Sequence, residues 1–172
     1  MNLSRLNTYR DKAQFTDDVY TRIFETELKY HGCSQVIVQS FLDVLEINNP
    51  LVSRVSAPFA AGLALTGNNC GALIGGLMVL GMCYGRREVT EGMEGILKGI
   101  RPMRKLVKQF EAAHGLLDCR DITKINIADP EQANAYFRAG GLEKCAAMMA
   151  ETGAFVAGML YDDRENLMHS PA

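Results

Sequence analysis

Thr66-Gly-Asn-Asn-Cys70-Gly-Ala-Leu-Ile-Gly-Gly-Leu-Met-Val-Leu-Gly-Met-Cys83-Tyr-Gly85 is a polar turn running into an uncharged segment that opens on a cysteine. Gly67, Asn68 and Asn69 leave regular structure readily and favour helix caps. Leu73, Leu77, Leu80 and Tyr84 recur at helical spacing, so the spacing predicts a helix with Cys70 at its start. A helix N-terminus carries partial positive charge and free N–H groups, which favour thiolate over thiol. Cys70 is therefore a candidate to bind metal or to attack a disulfide. The competing reading is a buried packing thiol, since free cysteine is among the residues most often found inside proteins. No charge occurs from Phe59 to Gly85. The turn at Thr66 to Asn69 nevertheless splits that run into pieces shorter than the ~20 apolar residues a membrane span requires, so no span is expected.

Outward from this segment the chain reads as helices. Thr16 to Leu28 is amphipathic, with acids in its first turn and Val19, Ile23 and Phe24 on its buried side; His31-Gly32 ends it. Cys33 opens a second helix and shares a stripe with Ile37, Phe41 and Val44, which turns the thiol inward. Asn48-Asn49-Pro50 breaks that helix, and Leu51 to Phe59 is a short helical candidate. Val89, Met93, Ile96, Ile100, Met103, Val107 and Phe110 alternate steps of four and three, the strongest periodic signal in the chain. Pro102 lies inside that stretch, and a kink or restart is expected there. Cys119 falls in a connection or at the start of a short helix. Asp129-Pro130-Glu131 is a helix opening, Gly140-Gly141 a stop. The last helix, Leu142 to Tyr161, sets Cys145 in register with Met149, Thr152, Val156 and Met159.

No segment shows strand alternation, so the expected fold is all-α, a single-domain bundle of about six or seven helices over residues 1–172, with 1–14 read as a flexible arm. Gly71, Gly75, Ala146, Ala150, Ala154 and Ala157 would let the helices bearing Cys70 and Cys145 approach closely. Met148, Met149, Ala150, Gly153, Ala154, Gly158 and Met159 spread over more than one face of the final helix, which predicts several neighbours and a homodimer.

Composition fits one ordinary globular domain: 172 residues, 48% hydrophobic and 22% charged. A net charge of −2 offers nucleic acid no footprint, and Lys98, Arg101, Arg104, Lys105 and Lys108 read as a solvated helix face. The N-terminus lacks the apolar core of a secretory signal, so the expected compartment is cytoplasmic. Stable disulfides are uncommon there, and Cys33, Cys70, Cys83, Cys119 and Cys145 are better read as free, metal-binding or redox-cycling thiols. No Cys-x-x-Cys pair is present, and hydrolytic or phosphate-binding motifs are absent too. A bundle would still bring dispersed cysteines to one point. Cys83 is the exception: it lies thirteen residues after Cys70, ~20 Å along one helix, and is read as a packing residue.

Cys33-Ser-Gln-Val-Ile-Val-Gln-Ser-Phe, Cys70-Gly-Ala-Leu-Ile-Gly-Gly with Tyr84-Gly85, Phe110-Glu-Ala-Ala-His-Gly followed by Cys119-Arg, and Cys145 together resemble the C-GCAxxG-C-C family, to which redox activity is ascribed. The resemblance spans Gly32 to Met159. It departs in one detail: the family name writes glycine before cysteine and alanine, and here the order is Cys70-Gly71-Ala72. The family looks related to the amino-terminal part of split-Soret cytochromes, which implies an iron–sulfur centre on Cys33, Cys70, Cys119 and Cys145, [2Fe–2S] as first choice and [4Fe–4S] as second. Haem is not expected, because no Cys-x-x-Cys-His motif exists here.

The leading expectation is thus electron transfer to an unnamed redox partner protein through a four-cysteine cluster, with helix-start N–H groups and Arg120 as donors to the sulfurs. A thiol–disulfide or sulfur-handling enzyme with Cys70 as nucleophile is the second reading. A structural zinc site on the same cysteines, with His31 or His114 as substitutes, is the third.

Overall fold

The computed structural model describes residues 3–169, and among these the fold is all-α. Five long helices build the bundle: α1 (Lys12–Tyr30), α2 (Cys33–Val44), α4 (Gly71–Tyr84), α5 (Gly92–His114) and α8 (Leu142–Asp162). Shorter pieces connect or flank them: α3 (Pro50–Ser56), α6 (Cys119–Thr123), α7 (Pro130–Tyr136) and α9 (Arg164–His169). Among the described residues no strand forms, only an isolated bridge between Asn69 and Asp118.

The core is the meeting of the helices' apolar stripes. α8 runs along α1 over its whole length and also touches α2, α4 and α5. Phe15, Val19 and Ile23 of α1, Ile37 and Phe41 of α2, Leu80 of α4 and Met149 and Leu160 of α8 are fully buried there. Met148, Met149, Ala150, Gly153 and Gly158 are buried within the one chain. Five of the seven residues behind the dimer expectation are thus used inside the subunit, while Ala154 and Met159 stay half-buried. No helix among the described residues is long and apolar enough to cross a membrane.

Several expectations about boundaries change. α1 starts at Lys12 rather than Thr16, because Asp11 caps it by accepting the Gln14 N–H at 2.8 Å, while the Gln14 side chain accepts the Arg10 N–H at 2.8 Å. The segment before it is no loose arm either: Ser4–Thr8 forms a 3-10 turn with Leu6 at 0% exposure, and Leu3 is buried as well. α5 continues through Pro102 without a restart. Its buried face runs through Gly95, Gly99, Leu106 and Phe110, with Gly99 against the Tyr84 backbone at the end of α4, so Val89 and Met93, 78% and 66% exposed, lie off the covered face.

Candidate functional site

Four cysteines from four different helices line one chamber of about 250 Å³. Cys33 is the first residue of α2, Cys70 the N-cap of α4, Cys119 the first residue of α6, and Cys145 lies in the first turn of α8. Cys83, near the other end of α4, does not line it. Ile122, Leu142, Met148 and Met149 furnish apolar wall, and the half-exposed Leu65 and Phe137 stand at the rim. At 250 Å³ the chamber is smaller than the ~300–1,000 Å³ of ordinary organic-ligand pockets, so its occupant should be compact.

Two local devices bring the thiols together. The first is a backbone seam that joins Cys70 to Cys119: the Cys70 N–H donates to Leu117 O at 2.7 Å, the Cys119 N–H to Asn68 O at 2.7 Å and the Arg120 N–H to Gly67 O at 2.9 Å. Asn69 Nδ2 adds a bond to Asp118 Oδ1 at 2.7 Å. The second is a close crossing of α2 and α4. Cys33 Sγ lies directly on the Gly71 backbone, where any methyl group at Gly71 would overlap it. A residue with a side chain after Cys70 would expel the Cys33 sulfur from its place, which is a physical reason for Cys-Gly in this order.

The chain over the chamber is unusual. Ala61, Leu63, Ala64 and Leu65 all have positive φ, between 50° and 66°, and Gly62 between them has 75°. Left-handed backbone costs ~1–2 kcal/mol per non-glycine residue, and strain of this kind gathers at functional sites. One return is visible: the Ala61 N–H donates to Cys33 Sγ at 3.3 Å. On the opposite side Phe137–Gly141 is a π-type turn with Gly140 at φ 82°, which separates α7 from α8 and packs the Tyr136 ring against Gly141. The Tyr136 hydroxyl then lies 3.6 Å from Cys145 Sγ.

Electrostatics here runs against the expectation of an easily ionised thiol. Cys70 does occupy a helix start, and the Ala72 N–H of the first turn does favour its thiolate, but burial outweighs this and, with Cys33, Cys119 and Cys145 nearby, pushes its pKa far up. Burial likewise pushes Cys33 and Cys119 up to about 11 and raises Cys145, where the Tyr136 hydroxyl pulls the other way. Left to themselves the thiols stay protonated.

Arg120 does not face the sulfurs: its guanidinium donates to Thr66 O at 3.0 Å and staples α6 to the loop before α4. His31, the C-cap of α1, lines the chamber with Nδ1 held 2.9 Å from Glu27 O, whereas His114 packs edge-on against Phe110 at the end of α5 and is not part of it. Two lining residues escaped the sequence reading. Glu27, 5% exposed, is one; it continues the buried steps of four along α1 after Phe15, Val19 and Ile23, so a carboxylate on an apolar stripe was the available signal. Tyr136 is the other, and nothing local marked it.

The donor set fits a metal–sulfur group in kind, since thiols in a dry, compact chamber with N–H and O–H groups aimed at two of them are what such a group requires. Among the described residues no three His, Cys, Asp or Glu side chains are grouped so as to hold a single metal ion.

No curated protein and no solved structure matches the chain. One family model does, over residues 31–159, a span that holds all four chamber cysteines and begins where α1 ends. The protein belongs to the family described as "Putative redox-active protein (C_GCAxxG_C_C)".

Proposed function

We propose that the protein is an electron carrier in which Cys33, Cys70, Cys119 and Cys145 hold one iron–sulfur cluster, [2Fe–2S] as first choice and [4Fe–4S] as second. The observation that carries this reading is the convergence of four cysteines, from helices far apart in sequence, on one small apolar chamber, with the fifth cysteine left outside. The membership in a family of ascribed redox activity supports it. Structural zinc on the same four cysteines would set four thiolates around one ion at ~2.3 Å with no redox role; the family's ascribed redox activity favours the cluster over it.

The group when bound supplies one-electron chemistry at a potential set by its surroundings. The chain's own part is to exclude water with Ile122, Leu142, Met148 and Met149, to release a proton from each thiol on loading, and to direct donors at sulfur. Ala61 N–H at Cys33 and the Tyr136 hydroxyl at Cys145 are those donors. Thiol–disulfide exchange by Cys70 is the weaker reading, because a nucleophile needs a lowered pKa and burial raises this one.

Anaerobic purification, an absorption spectrum and iron and acid-labile sulfide analysis test the proposal. A brown protein with a sulfur-to-iron charge-transfer band and stoichiometric iron and sulfide is expected. A colourless protein with titratable thiols would replace it by the exchange reading, and zinc alone by the structural one.

A further inference from the structure

Glu27 is a buried carboxyl at the end of α1 that receives the Gly32 backbone N–H. It sits in the last turn of α1, near the end whose free carbonyls disfavour negative charge. It is 5% exposed, and its Oε2 is buried without a hydrogen-bond partner. No lysine or arginine lines the chamber that Glu27 shares with the four cysteines. Among the described ion pairs none involves it. An unpaired buried carboxylate costs stability, and replacement by an apolar residue on this stripe would cost nothing in packing pattern. It lines the chamber together with Cys33 and Cys145, at the end of α1 that leads into α2.

We propose that Glu27 is a fifth donor of the four-cysteine chamber, an oxygen ligand to one metal of the chamber's occupant. The proposal rests on the reading of the chamber as a metal–sulfur centre. A hard oxygen donor among four thiolates distinguishes one metal of a cluster from the others, since carboxylate oxygen is a harder donor than thiolate sulfur. It accounts for three facts together: the orphaned Oε2, the absence of any cationic side chain in the chamber, and the placement of a charge on the otherwise apolar stripe Phe15, Val19, Ile23. Burial pushes the Glu27 carboxyl up to about 7; against this the Gly32 backbone N–H, the one interaction that offers a purely structural role, favours the ionised form. An amide oxygen would accept that bond equally well.

The test compares wild type with Glu27→Gln, which keeps the shape and the acceptor for Gly32 N–H, and with Glu27→Asp, which keeps the charge and withdraws it by one methylene. Each full-length protein is reconstituted anaerobically with ferrous iron and sulfide. Three quantities are read: iron and sulfide per chain, the electron paramagnetic resonance spectrum of the reduced centre, and thermal unfolding of the metal-free protein. Expected are a loss of iron affinity of ~10-fold or more in Glu27→Gln, altered g values in both variants, and a higher melting temperature for metal-free Glu27→Gln. Glu27→Gln that loads iron like wild type with an identical spectrum would overturn the proposal and leave Glu27 as a cap for Gly32. Wild type that takes up iron in neither form would overturn the metal reading beneath it, a result distinguishable because it does not depend on Glu27 at all.

Discussion

The two ends of α4 carry the same chemical group in different company. Cys70 at its start and Cys83 near its end are both buried enough that their thiols are pushed up, Cys83 to about 12. Burial therefore does not distinguish them. Around Cys70 stand three more thiols and a carboxylate, brought from four other helices by a backbone seam and a glycine crossing. Around Cys83 no other thiol is gathered, and its neighbour Tyr84 turns its hydroxyl to Asp163. A buried cysteine becomes a candidate ligand through convergence, which is a property of the tertiary fold rather than of the helix position.

The largest expected effect tests that contrast directly. Serine at Cys33, Cys70, Cys119 or Cys145 should strongly reduce iron and sulfide per chain after reconstitution, since the chamber holds no spare thiol. Cys83→Ser should leave both unchanged and lower stability by ~1–2 kcal/mol through the buried hydroxyl. Equal iron loss in Cys83→Ser, measured in the same reconstitution series, would erase the distinction between the two ends.

Next in size is thiol reactivity in the metal-free protein. With pKa values of about 11, Cys33 and Cys119 are almost entirely protonated at neutral pH, so alkylation by iodoacetamide should run ~100-fold or more below that of an ordinary cysteine and climb with pH. The linkage has a definite sign. The folded pKa values lie above the unfolded one, so the stabilisation is whole below pH ~8.5 and is lost as pH rises through about 11. One thiol that alkylates fast at pH 7 would mark a nucleophile and revive the exchange reading.

Glycine substitutions at the two ends should differ in sign. Gly71→Ala puts a methyl into Cys33 Sγ, with Phe59 O 3.0 Å away on the same side, and should destabilise by ~1–3 kcal/mol while impairing iron loading. Gly81→Ala, ten residues on in the same helix, meets nothing within 4 Å and should stabilise by up to ~1 kcal/mol through helix propensity. Chemical denaturation of the two metal-free variants checks both.

The helices were legible because their signals are local. Cys33 and Cys70 at helix starts, Asp129-Pro130 opening α7, Gly140 in left-handed conformation and Cys145 on a core-side register all follow from neighbours a few residues away. What gathers the cysteines is not local. The seam pairs Asn68 with Cys119 and Leu117 with Cys70 across about fifty positions, and no spacing rule announces it; distance along one helix set Cys83 apart, and the family resemblance named the same four. The run of left-handed residues from Ala61 to Leu65 was illegible because alanine and leucine ordinarily avoid that region. α5 shows the converse: a faultless heptad-like period from Val89 to Phe110 predicted a helix correctly but not its burial, since the covered positions of its first half are Gly95 and Gly99 rather than the apolar Val89 and Met93.

The smallest expected effect concerns the two tyrosines that flank these ends. Tyr136 places its hydroxyl 3.6 Å from Cys145 Sγ, and the ring is seated by the turn at Gly140 and Gly141. A hydroxyl donating to a ligating sulfur favours the more negative reduced centre, so it raises the reduction potential. Tyr136→Phe removes the donor and keeps the ring. One hydrogen bond of ~0.5–1.5 kcal/mol corresponds to ~20–60 mV for a one-electron couple, so the potential of the reconstituted protein should fall by about that amount. Tyr84→Phe, whose lost hydroxyl faces Asp163 at the far end of α4, should leave the potential where it was. Protein-film voltammetry on the pair separates a sulfur-directed effect from a general loss of rigidity, because only the former singles out Tyr136. An equal shift in both would mean that the hydroxyl near Cys145 is a packing coincidence, and that the chamber's donors reduce to the backbone N–H groups of Ala61 and Ala72.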